Sequence, residues 1–223
     1  MKVRIRFSKK GALVYIGHLD VMRYFQKLFR RADIPVRYSE GFSPHQILSF
    51  TPPLPLGMES VGEYADVELT ETVTTDDALG RLRRESVPEI EILSFKELPE
   101  KSENAMASVK AARYTVCGDV KNISERIGDF LAMTEVNVIK RSKKSERTIN
   151  LRPLVYELGV CENDMIDMLI SSGSTDNIKP ELVMSALFGE AFSDPAKYEI
   201  KRIDQYTFTD RLISLDEIGM MIK

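Results

Sequence analysis

The stretch YIGHLDVMRYFQKLFRRADIPVRYSEGFSPHQILSFTPPLPLG, residues 15–57, contains both histidines of the chain, His18 and His45. A Gly-His-Leu-Asp turn opens a helix, and Ile-Pro at 34–35 leads from it into a strand. The loop SEGFSPH follows at 39–45, and a proline-rich run occupies 51–57. Connecting loops tolerate almost any polar sequence, so function concentrates in loops that carry special residues. This stretch is therefore predicted to carry the site, with the other residues as its scaffold.

The helix in this stretch has an apolar face and a basic face. At about 100° per residue, the apolar residues are Met22, Phe25, Leu28, Phe29 and Ala32, and the basic ones are Arg23, Lys27, Arg30 and Arg31. The first 50 residues hold ten Lys or Arg against three Asp or Glu, a net charge of +7, whereas the whole chain carries −3. This asymmetry favours a polyanionic partner. The alternative interpretation is that the basic face binds no partner and is the solvated side of a helix that packs on the core.

The first half of the chain alternates between strand and helix patterns. Strands are predicted at 2–7, 36–38, 47–50, 63–69 and 90–98, and a second helix runs to residue 85 from a cap at Thr74 or Thr75. Because the segments at 36–38 and 47–50 flank one loop, we count them as a single broken strand. The order is then strand, helix, strand, strand, helix, strand, which is the split βαβ or ferredoxin-like arrangement.

The second half indicates the same order with an inserted pair of strands. Strands are predicted at 109–116, 136–141, 148–158, 165–170 and 198–208, with one helix capped by Asp119 and another at 180–188. The predicted fold class is α+β, with two tandem ferredoxin-like halves and antiparallel sheets. The predicted domains are 1–98 and 107–223, joined by a polar linker at 99–106.

Composition excludes several protein classes. No run approaches the roughly 18 apolar residues of a membrane span, and the alternating N-terminus lacks the apolar segment of a signal peptide. Cys117 and Cys161 stand far apart, outside any ligand spacing, and are expected to be buried thiols in a reducing cytoplasm. We therefore predict a cytoplasmic protein with no membrane contact.

The two histidines are the candidate catalytic residues, together with Asp20. Most lone histidines are structural, and that interpretation stays open for both. If His18 and His45 face one cleft with Asp20 nearby, a metal site, general acid–base work on a phosphodiester and simple anion binding are open to them. No ligand pair has a helical or hairpin spacing, so we predict neither a metal nor another cofactor.

The loop at 39–45 is predicted to be shaped by its backbone. Gly41 can adopt a positive φ and Pro44 fixes its own φ, which leaves backbone N–H groups available. Phe42 then either packs inward or stacks on a base. The candidate ligand-binding residues of the loop are Ser39, Gly41, Phe42 and Ser43.

A second basic cluster lies between the strands predicted at 136–141 and 148–158. It comprises Lys140, Arg141, Lys143, Lys144, Arg147 and Arg152. Hairpin tips are normally charged, so a solvated tip is the alternative to a binding surface. Arg152 differs because it lies in an apolar strand pattern, where its charge needs a partner, and Asp66 or Glu157 could supply one. Lys143, Lys144 and Arg152 are included among the candidate binding residues.

Three motifs resemble one bacterial family. The run YIGHLDVMRYFQKLFRRADIPVRYSEGFSPH, then PPLPLGMES and GEYADVEL, is similar to the radical SAM-linked proteins, a domain of unknown function. Its members occur as separate chains or fused to the C-terminus of a cobalamin-domain radical SAM protein. The resemblance is most specific in the N-terminal third, and it implies a radical SAM enzyme as partner without implying an activity. Gln46 and Ile47 stand where the family pattern has Pro-Lys, which removes a positive charge from the loop.

The chain is not itself a radical SAM enzyme, because the iron–sulfur cluster of such an enzyme needs three closely spaced cysteines and this chain has two cysteines in all. The expected function is that of a non-catalytic partner that binds or presents RNA (tRNA or rRNA) for modification. Two alternatives stay open. One is a module that docks the radical SAM enzyme without touching RNA. The other is a metal-independent endoribonuclease, similar to the CRISPR repeat-processing enzymes, that uses His18 or His45.

Overall fold

A computed structural model describes residues 1–141, 146–173 and 176–223. By its contacts the chain divides into two compact units. Unit 1 contains Met1–Val109 and Asp204–Lys223, and unit 2 contains Lys110–Ile203. Both are mixed α+β, and their strand pairings are mostly antiparallel. The predicted α+β class with antiparallel pairing is confirmed.

Unit 1 is built on a sheet with strand order β4-β1-β3, and β2 also pairs with β3. Its elements up to Ser108 are β1 (Lys2–Lys9), a 3-10 turn (Gly11–Tyr15), α1 (His18–Arg31), β2 (Leu48–Phe50), β3 (Glu59–Glu68), α2 (Thr75–Glu85), β4 (Ile92–Glu97) and α3 (Ala105–Ser108). The helix α2 has the predicted Thr74 cap, whose hydroxyl accepts from the Asp77 N–H. The short helix α3 falls partly inside the segment predicted as a linker.

The helix α1 ends where the sequence forbids its continuation. Asp33 has a left-handed φ of 52°, and Pro35 disfavours a helical residue before it. The strand predicted at 36–38 is wrong, because Val36 and Tyr38 make only isolated bridges, to Leu69 and Gln46. The chain turns back at 39–45 before a ladder can form.

The core of unit 1 lies between α1 and one face of the sheet. Phe25 of α1 packs on Phe7 of β1 at 4.5 Å between ring centroids, and on Phe50 of β2 at 5.4 Å. All three rings are buried. Burial of aromatic area of this kind is the main stabilising term for a small α+β unit, and it fixes α1 over the sheet.

The opposite face of the same sheet is also covered. Arg4 of β1 donates to both carboxylate oxygens of Asp66 on β3, at 2.7 and 2.9 Å, and to the Ser108 hydroxyl at 3.3 Å. Both charged side chains are almost fully buried. Alternation in β1 predicts Arg4 on a polar face, and the structure encloses that face instead.

Unit 2 has a sheet in which β5-β9-β8 are neighbours and β10 is hydrogen-bonded to β5. The chain runs through β5 (Ala111–Cys117), α4 (Ile123–Ala132), β6 (Asn137–Arg141), β7 (Glu146–Asn150), β8 (Val155–Val160), β9 (Ile166–Ser171), α5 (Pro180–Phe188) and β10 (Glu199–Phe208). β6 and β7 form a separate two-stranded ladder. The helix α5 spans the predicted residues.

Three local predictions in unit 2 need correction. The strand predicted at 148–158 is broken by a 3-10 turn, Arg152–Leu154, because Pro153 has no N–H for a ladder. The helix α4 begins after Asn122, which has a left-handed φ of 57°, and not at an Asp119 cap. Cys117 is exposed at the end of β5, so its predicted burial is wrong, whereas Cys161 is half-buried.

The last 20 residues group with unit 1, although the sequence predicted a second domain over 107–223. β11 (Leu212–Ser214) pairs with the end of β10. Asp204 accepts from the Tyr64 hydroxyl of β3 and from the Ser214 hydroxyl, the latter at 2.7 Å. Burial and the Asp204 carboxylate raise the pKa of Tyr64, so the phenol stays a donor.

Among the described residues, no helix is long and apolar enough to cross a membrane.

Candidate functional site

Residues 39–45 form a loop whose two ends are joined by hydrogen bonds. The Ser39 N–H donates to the His45 carbonyl at 2.8 Å, and the His45 N–H donates to the Ser39 hydroxyl at 3.1 Å. The same hydroxyl lies 2.9 Å from Nδ1 of His45. This nitrogen is also 3.4 Å from the Ser43 carbonyl. The loop is therefore held in shape by its own residues.

Phe42 stands at the tip of this loop, with its side chain fully exposed to solvent. Gly41 before it has a φ of +106°, in the region that favours glycine, and open space surrounds the position of a Cβ there. Inward packing of Phe42, the alternative raised by the sequence, does not occur. Both faces of the ring are open to a ligand.

The base of the loop lies against α1. The side-chain amide of Gln46 donates to the Gln26 carbonyl at 3.4 Å and to the Tyr38 hydroxyl at 3.3 Å. The side chain of Gln46 therefore anchors the base of the loop to the helix.

Three exposed basic residues of α1 follow one another at helical spacing: Arg23, Lys27 and Arg30. We call these three the basic stripe. Residues at i, i+4 and i+7 share one face of a helix, and this face is adjacent to Gln26, where the loop is anchored. Arg23 also has an exposed ion pair with Asp20, at 3.3 Å, which water screens strongly.

Arg31 differs from the basic stripe. Its guanidinium donates to the Glu85 carbonyl at 3.1 Å, lies 3.8 Å from the Glu85 carboxylate, and sits 5.9 Å from the Tyr24 ring centroid. These contacts join α1 to the end of α2. Of the four predicted basic residues, Arg31 therefore has the clearest structural role.

His18, the first residue of α1, borders a small cavity of about 20 Å³. Its ring meets the Phe50 ring edge-on, 5.7 Å between centroids. Burial lowers the pKa of His18, the Glu63 carboxylate opposes this, and the Lys9 ammonium adds to it. Lys9 and Glu63 line the same cavity, and both are buried, at 3% and 6% exposure. The imidazole therefore faces two buried charges of opposite sign.

Sequence reasoning did not identify Lys9 and Glu63. The strand predicted at 2–7 stops short of Lys9, but β1 continues through this residue. Glu63 faces Phe7 in the β1–β3 register, so its side chain is on the face that α1 covers. The sequence of β3 contains a sign of this placement. Alternate residues of a strand share one face of the sheet, so Glu63 lies on the same face as Ala65 and Val67.

The two histidines occupy separate places. His45 adjoins Gln46, which contacts Gln26, and Gln26 is eight residues from His18 in α1, about 12 Å along the helix axis. No described residue of the 39–45 loop lines the cavity next to His18. Asp20 faces Arg23. Among the described residues, no group of three or more His, Cys, Asp or Glu is placed to hold a metal ion.

The second basic cluster is only partly described. Lys143 and Lys144 lie outside the described residues. Arg152 is half-buried and donates to the Val155 carbonyl at 3.3 Å. Neither suggested carboxylate partner is assigned to it, because Asp66 pairs with Arg4 and Glu157 with Arg113.

A family model described as "Uncharacterized protein conserved in bacteria (DUF2344)" matches residues 2–180. Comparison with curated proteins gave no match. Among solved structures, a chain of "Crystal Structure of a Cbf5-Nop10-Gar1 Complex" is similar at 13% sequence identity and a TM-score of 0.48. The match covers 93% of this chain and 50% of that one, so the chain spans half of its length.

Proposed function

The chain belongs to a family of uncharacterized proteins conserved in bacteria, DUF2344, and we propose that it is a cytoplasmic, non-catalytic RNA-binding partner of a radical SAM enzyme. In this role it holds a single-stranded segment of tRNA or rRNA for modification. The ligand-contacting residues are the basic stripe and, in the 39–45 loop, Ser39, Gly41, Phe42 and Ser43.

The observation that carries the proposal is the exposed Phe42 on a closed loop. When an aromatic ring that was wholly exposed to water is covered, the free energy of the system falls. Stacking on a nucleobase covers one ring face and is worth about 1–3 kcal/mol per base. Because hydrogen bonds hold the loop in shape before a ligand arrives, little ordering entropy is lost on binding.

The basic stripe supports the choice of a nucleic acid over an uncharged ligand. Lys and Arg side chains neutralise phosphates and release counterions, which supplies most of the sequence-independent affinity. The stripe is exposed along about two turns of α1, and Gln46 anchors the loop to that helix. A strand lying along the stripe would therefore pass the point on α1 where the loop is anchored.

Strand order supports a ferredoxin-like interpretation of each unit. Unit 1 has β4-β1-β3 with β2 also paired to β3, and unit 2 has β10-β5-β9-β8. When β6, β7 and β11 are left out and the four remaining strands of each unit are numbered in chain order, both sheets have the order 4-1-3-2, which is the order expected for the split βαβ arrangement. Ferredoxin-like folds are frequent among RNA-binding proteins, and this analogy of fold favours RNA as the ligand.

The partnership with a radical SAM enzyme is supported by the resemblance of the motifs in residues 15–69 to radical SAM-linked proteins. One surface favours protein docking as a second candidate function. Tyr15 and Leu56 are exposed apolar side chains, and they are brought near each other because the Gly57 N–H donates to the Val14 carbonyl at 3.0 Å. Leu19, at the start of α1, is exposed as well.

Binding of a uridine-rich oligoribonucleotide to the purified chain, measured by fluorescence anisotropy, tests the proposal. Phe42→Ala should weaken binding by about 1–3 kcal/mol, the value of one stacked base. Phe208→Ala, which removes another exposed phenylalanine, is the matched control and should leave affinity unchanged. Equal affinity of the wild type and Phe42→Ala would exclude the loop as the binding site.

The same incubation distinguishes a protein that presents RNA for modification from a ribonuclease. Without the radical SAM enzyme, the RNA should remain intact with and without chelator. Chelator-resistant cutting that disappears in His18→Gln or His45→Gln would establish the ribonuclease instead. If RNA neither binds nor is cut, the docking function gains support, and co-purification with the radical SAM enzyme becomes its test.

A further inference from the structure

A second cavity lies within unit 2, where β6 faces the first turns of α5. Its volume is about 390 Å³, and its lining includes Lys140, Lys179, Glu181 and Leu182. Pockets that hold small ligands measure about 300–1,000 Å³, so the cavity is large enough for one. The basic stripe and the 39–45 loop belong to unit 1, and the function proposed above therefore leaves this cavity without a ligand.

The Glu181 carboxylate can accept more hydrogen bonds than it receives. Glu181 lies in the first turn of α5, and its Oε2 atom is buried with no donor among the described residues. A buried oxygen without a donor costs free energy. The terminal torsion of a glutamate side chain is broad, so the carboxylate can turn toward a planar pair of donors. The cavity therefore favours a ligand that donates hydrogen bonds to Glu181.

Two ammonium groups favour an acceptor on the same ligand. Lys140 donates to the Asn177 carbonyl, which occupies one of its three N–H donors. Burial lowers the pKa of Lys140, and the Arg147 guanidinium adds to this effect, so an acceptor beside the ammonium would be stabilising. Lys179 is exposed at the start of α5, where its charge is available to a group at the mouth of the cavity.

Charges of both signs in one lining disfavour a charged group inside the cavity. A phosphate there would be attracted by the two lysines and repelled by Glu181, and a guanidinium would meet the reverse. An uncharged, planar group with two adjacent donors beside an acceptor fits better. Guanine has this pattern, because N1–H and the N2 amine donate and O6 accepts. Adenine, cytosine and uracil do not present two adjacent donors on one edge.

We propose that this cavity binds a guanine base. The Glu181 carboxylate accepts from N1 and N2, the Lys140 ammonium donates to O6, and the Leu182 side chain covers part of one ring face. Lys179 pairs with the phosphate of the same nucleotide outside the cavity. The inference goes beyond the proposed function, because the cavity lies in unit 2. Only the source of the base, a guanosine of the bound RNA, rests on that function.

Titration of the full chain with mononucleotides, followed by NMR of the backbone amides, tests the cavity. Wild type should bind guanosine monophosphate about 10-fold more tightly than inosine monophosphate, which lacks the N2 amine and so one hydrogen bond to a charged group. In Glu181→Gln this ratio should fall toward one. Lys140→Gln should weaken both ligands and keep the ratio, since both carry O6. Glu125→Gln, which changes the first-turn glutamate of α4, is the matched control and should behave like wild type.

The outcomes that would overturn the guanine site are specific. Equal affinity of wild type for the two mononucleotides would do so, and so would a full guanosine preference retained in Glu181→Gln. The shifted amides should belong to β6 and α5, and shifts confined to other elements would contradict the assignment. Thermal unfolding verifies the fold of each variant. If Glu181→Gln unfolds, Lys140→Gln and the shifted amides carry the test.

A second measurement identifies the source of the base and separates this inference from the proposed function. One guanosine is placed at successive positions of the uridine-rich oligoribonucleotide, and at one position or more the affinity of wild type should rise about 10-fold, but not that of Glu181→Gln. No gain at any position, with selective binding of guanosine monophosphate, would overturn RNA as the source. Oligonucleotide binding with no guanine preference in either measurement would overturn the cavity alone. Selective mononucleotide binding with no oligonucleotide bound would overturn the proposed function alone.

Discussion

The hydroxyl of Ser39 lies 2.9 Å from Nδ1 of His45, and it also accepts the His45 N–H at 3.1 Å. One small side chain therefore closes the loop that exposes Phe42. His45 therefore helps to hold the loop in shape, since its ring contacts the Ser39 hydroxyl and the Ser43 carbonyl. The contact between Ser39 and His45 also makes the loop's order testable without altering the aromatic residue.

Ser39→Ala should weaken RNA binding by about 0.5–1.5 kcal/mol, the net value of one hydrogen bond, because the free loop becomes less ordered. Ser39→Thr keeps a hydroxyl and should retain most of the affinity. Isothermal titration calorimetry checks both the affinity and the larger entropy cost expected for Ser39→Ala. The same binding entropy in all three proteins would contradict the view that Ser39 organises the loop in advance.

Removal of the basic stripe should change the salt dependence of binding. For single strands, each phosphate contact contributes about 0.7 to the slope of log K against log salt, so the triple variant Arg23→Gln, Lys27→Gln, Arg30→Gln should lower the slope by about 2. Arg84→Gln, an exposed arginine of α2, is the control and should not alter it. A triple variant with the wild-type slope would remove α1 from the interface.

The buried Arg4–Asp66 pair should be important for stability. Asp66→Asn leaves the Arg4 charge enclosed without a carboxylate, and breaking a buried pair in this way costs about 3–5 kcal/mol. Glu91→Gln, which breaks the exposed pair between Lys10 and Glu91, should change stability little. Urea unfolding measures both. A small loss in Asp66→Asn would show that the pair is more solvated than its burial indicates.

The fold was largely predictable where one pattern dominates a segment. The apolar period of α1 and the Thr74 cap of α2 identify these helices, and the alternation of β1 identifies the first strand. Burial on both faces of the sheet was not predictable, because alternation assigns Arg4 to a solvated face. The structure covers that face with residues distant in sequence, including Ser108 and the Leu215 side chain near Tyr64.

The candidate site was predictable only in part. The composition of the loop around Gly41 and Phe42 indicates a shaped turn, and the basic period of α1 indicates one charged face. Whether Phe42 packs inward or is exposed was not predictable, because the direction of an aromatic side chain in a loop depends on contacts that no local pattern encodes. Lys9 and Glu63 were missed because charged residues are rarely buried, and their proximity depends on the register between β1 and β3.

The stability of unit 1 should depend on the protonation of His18. Burial lowers the folded-state pKa of His18 below its ordinary value of 6.5, with Glu63 opposing and Lys9 reinforcing the shift. Above pH 6.5 the imidazole is neutral in both states and its contribution is complete. As the pH falls through 6.5 toward the folded-state pKa, the unfolded chain binds the proton that the folded chain resists, and stability is lost.

His18→Gln should therefore lose less stability than wild type between pH 7.5 and pH 5.5, values chosen about one unit on either side of the ordinary histidine pKa. Chemical unfolding at the two pH values measures the difference. His45→Gln serves as control, since His45 lies exposed on its loop. If His18→Gln and wild type lose the same stability, the imidazole is not desolvated in the folded chain.

Ultraviolet crosslinking locates the contact between Phe42 and RNA. A uridine-rich oligoribonucleotide is irradiated with the full chain, the complex is digested, and the nucleotide adduct is located by mass spectrometry. We expect an adduct on the 39–45 loop, at Phe42, which is lost in Phe42→Ala and retained in Phe208→Ala. Adducts confined to unit 2, or the absence of any adduct at saturating RNA, would contradict it.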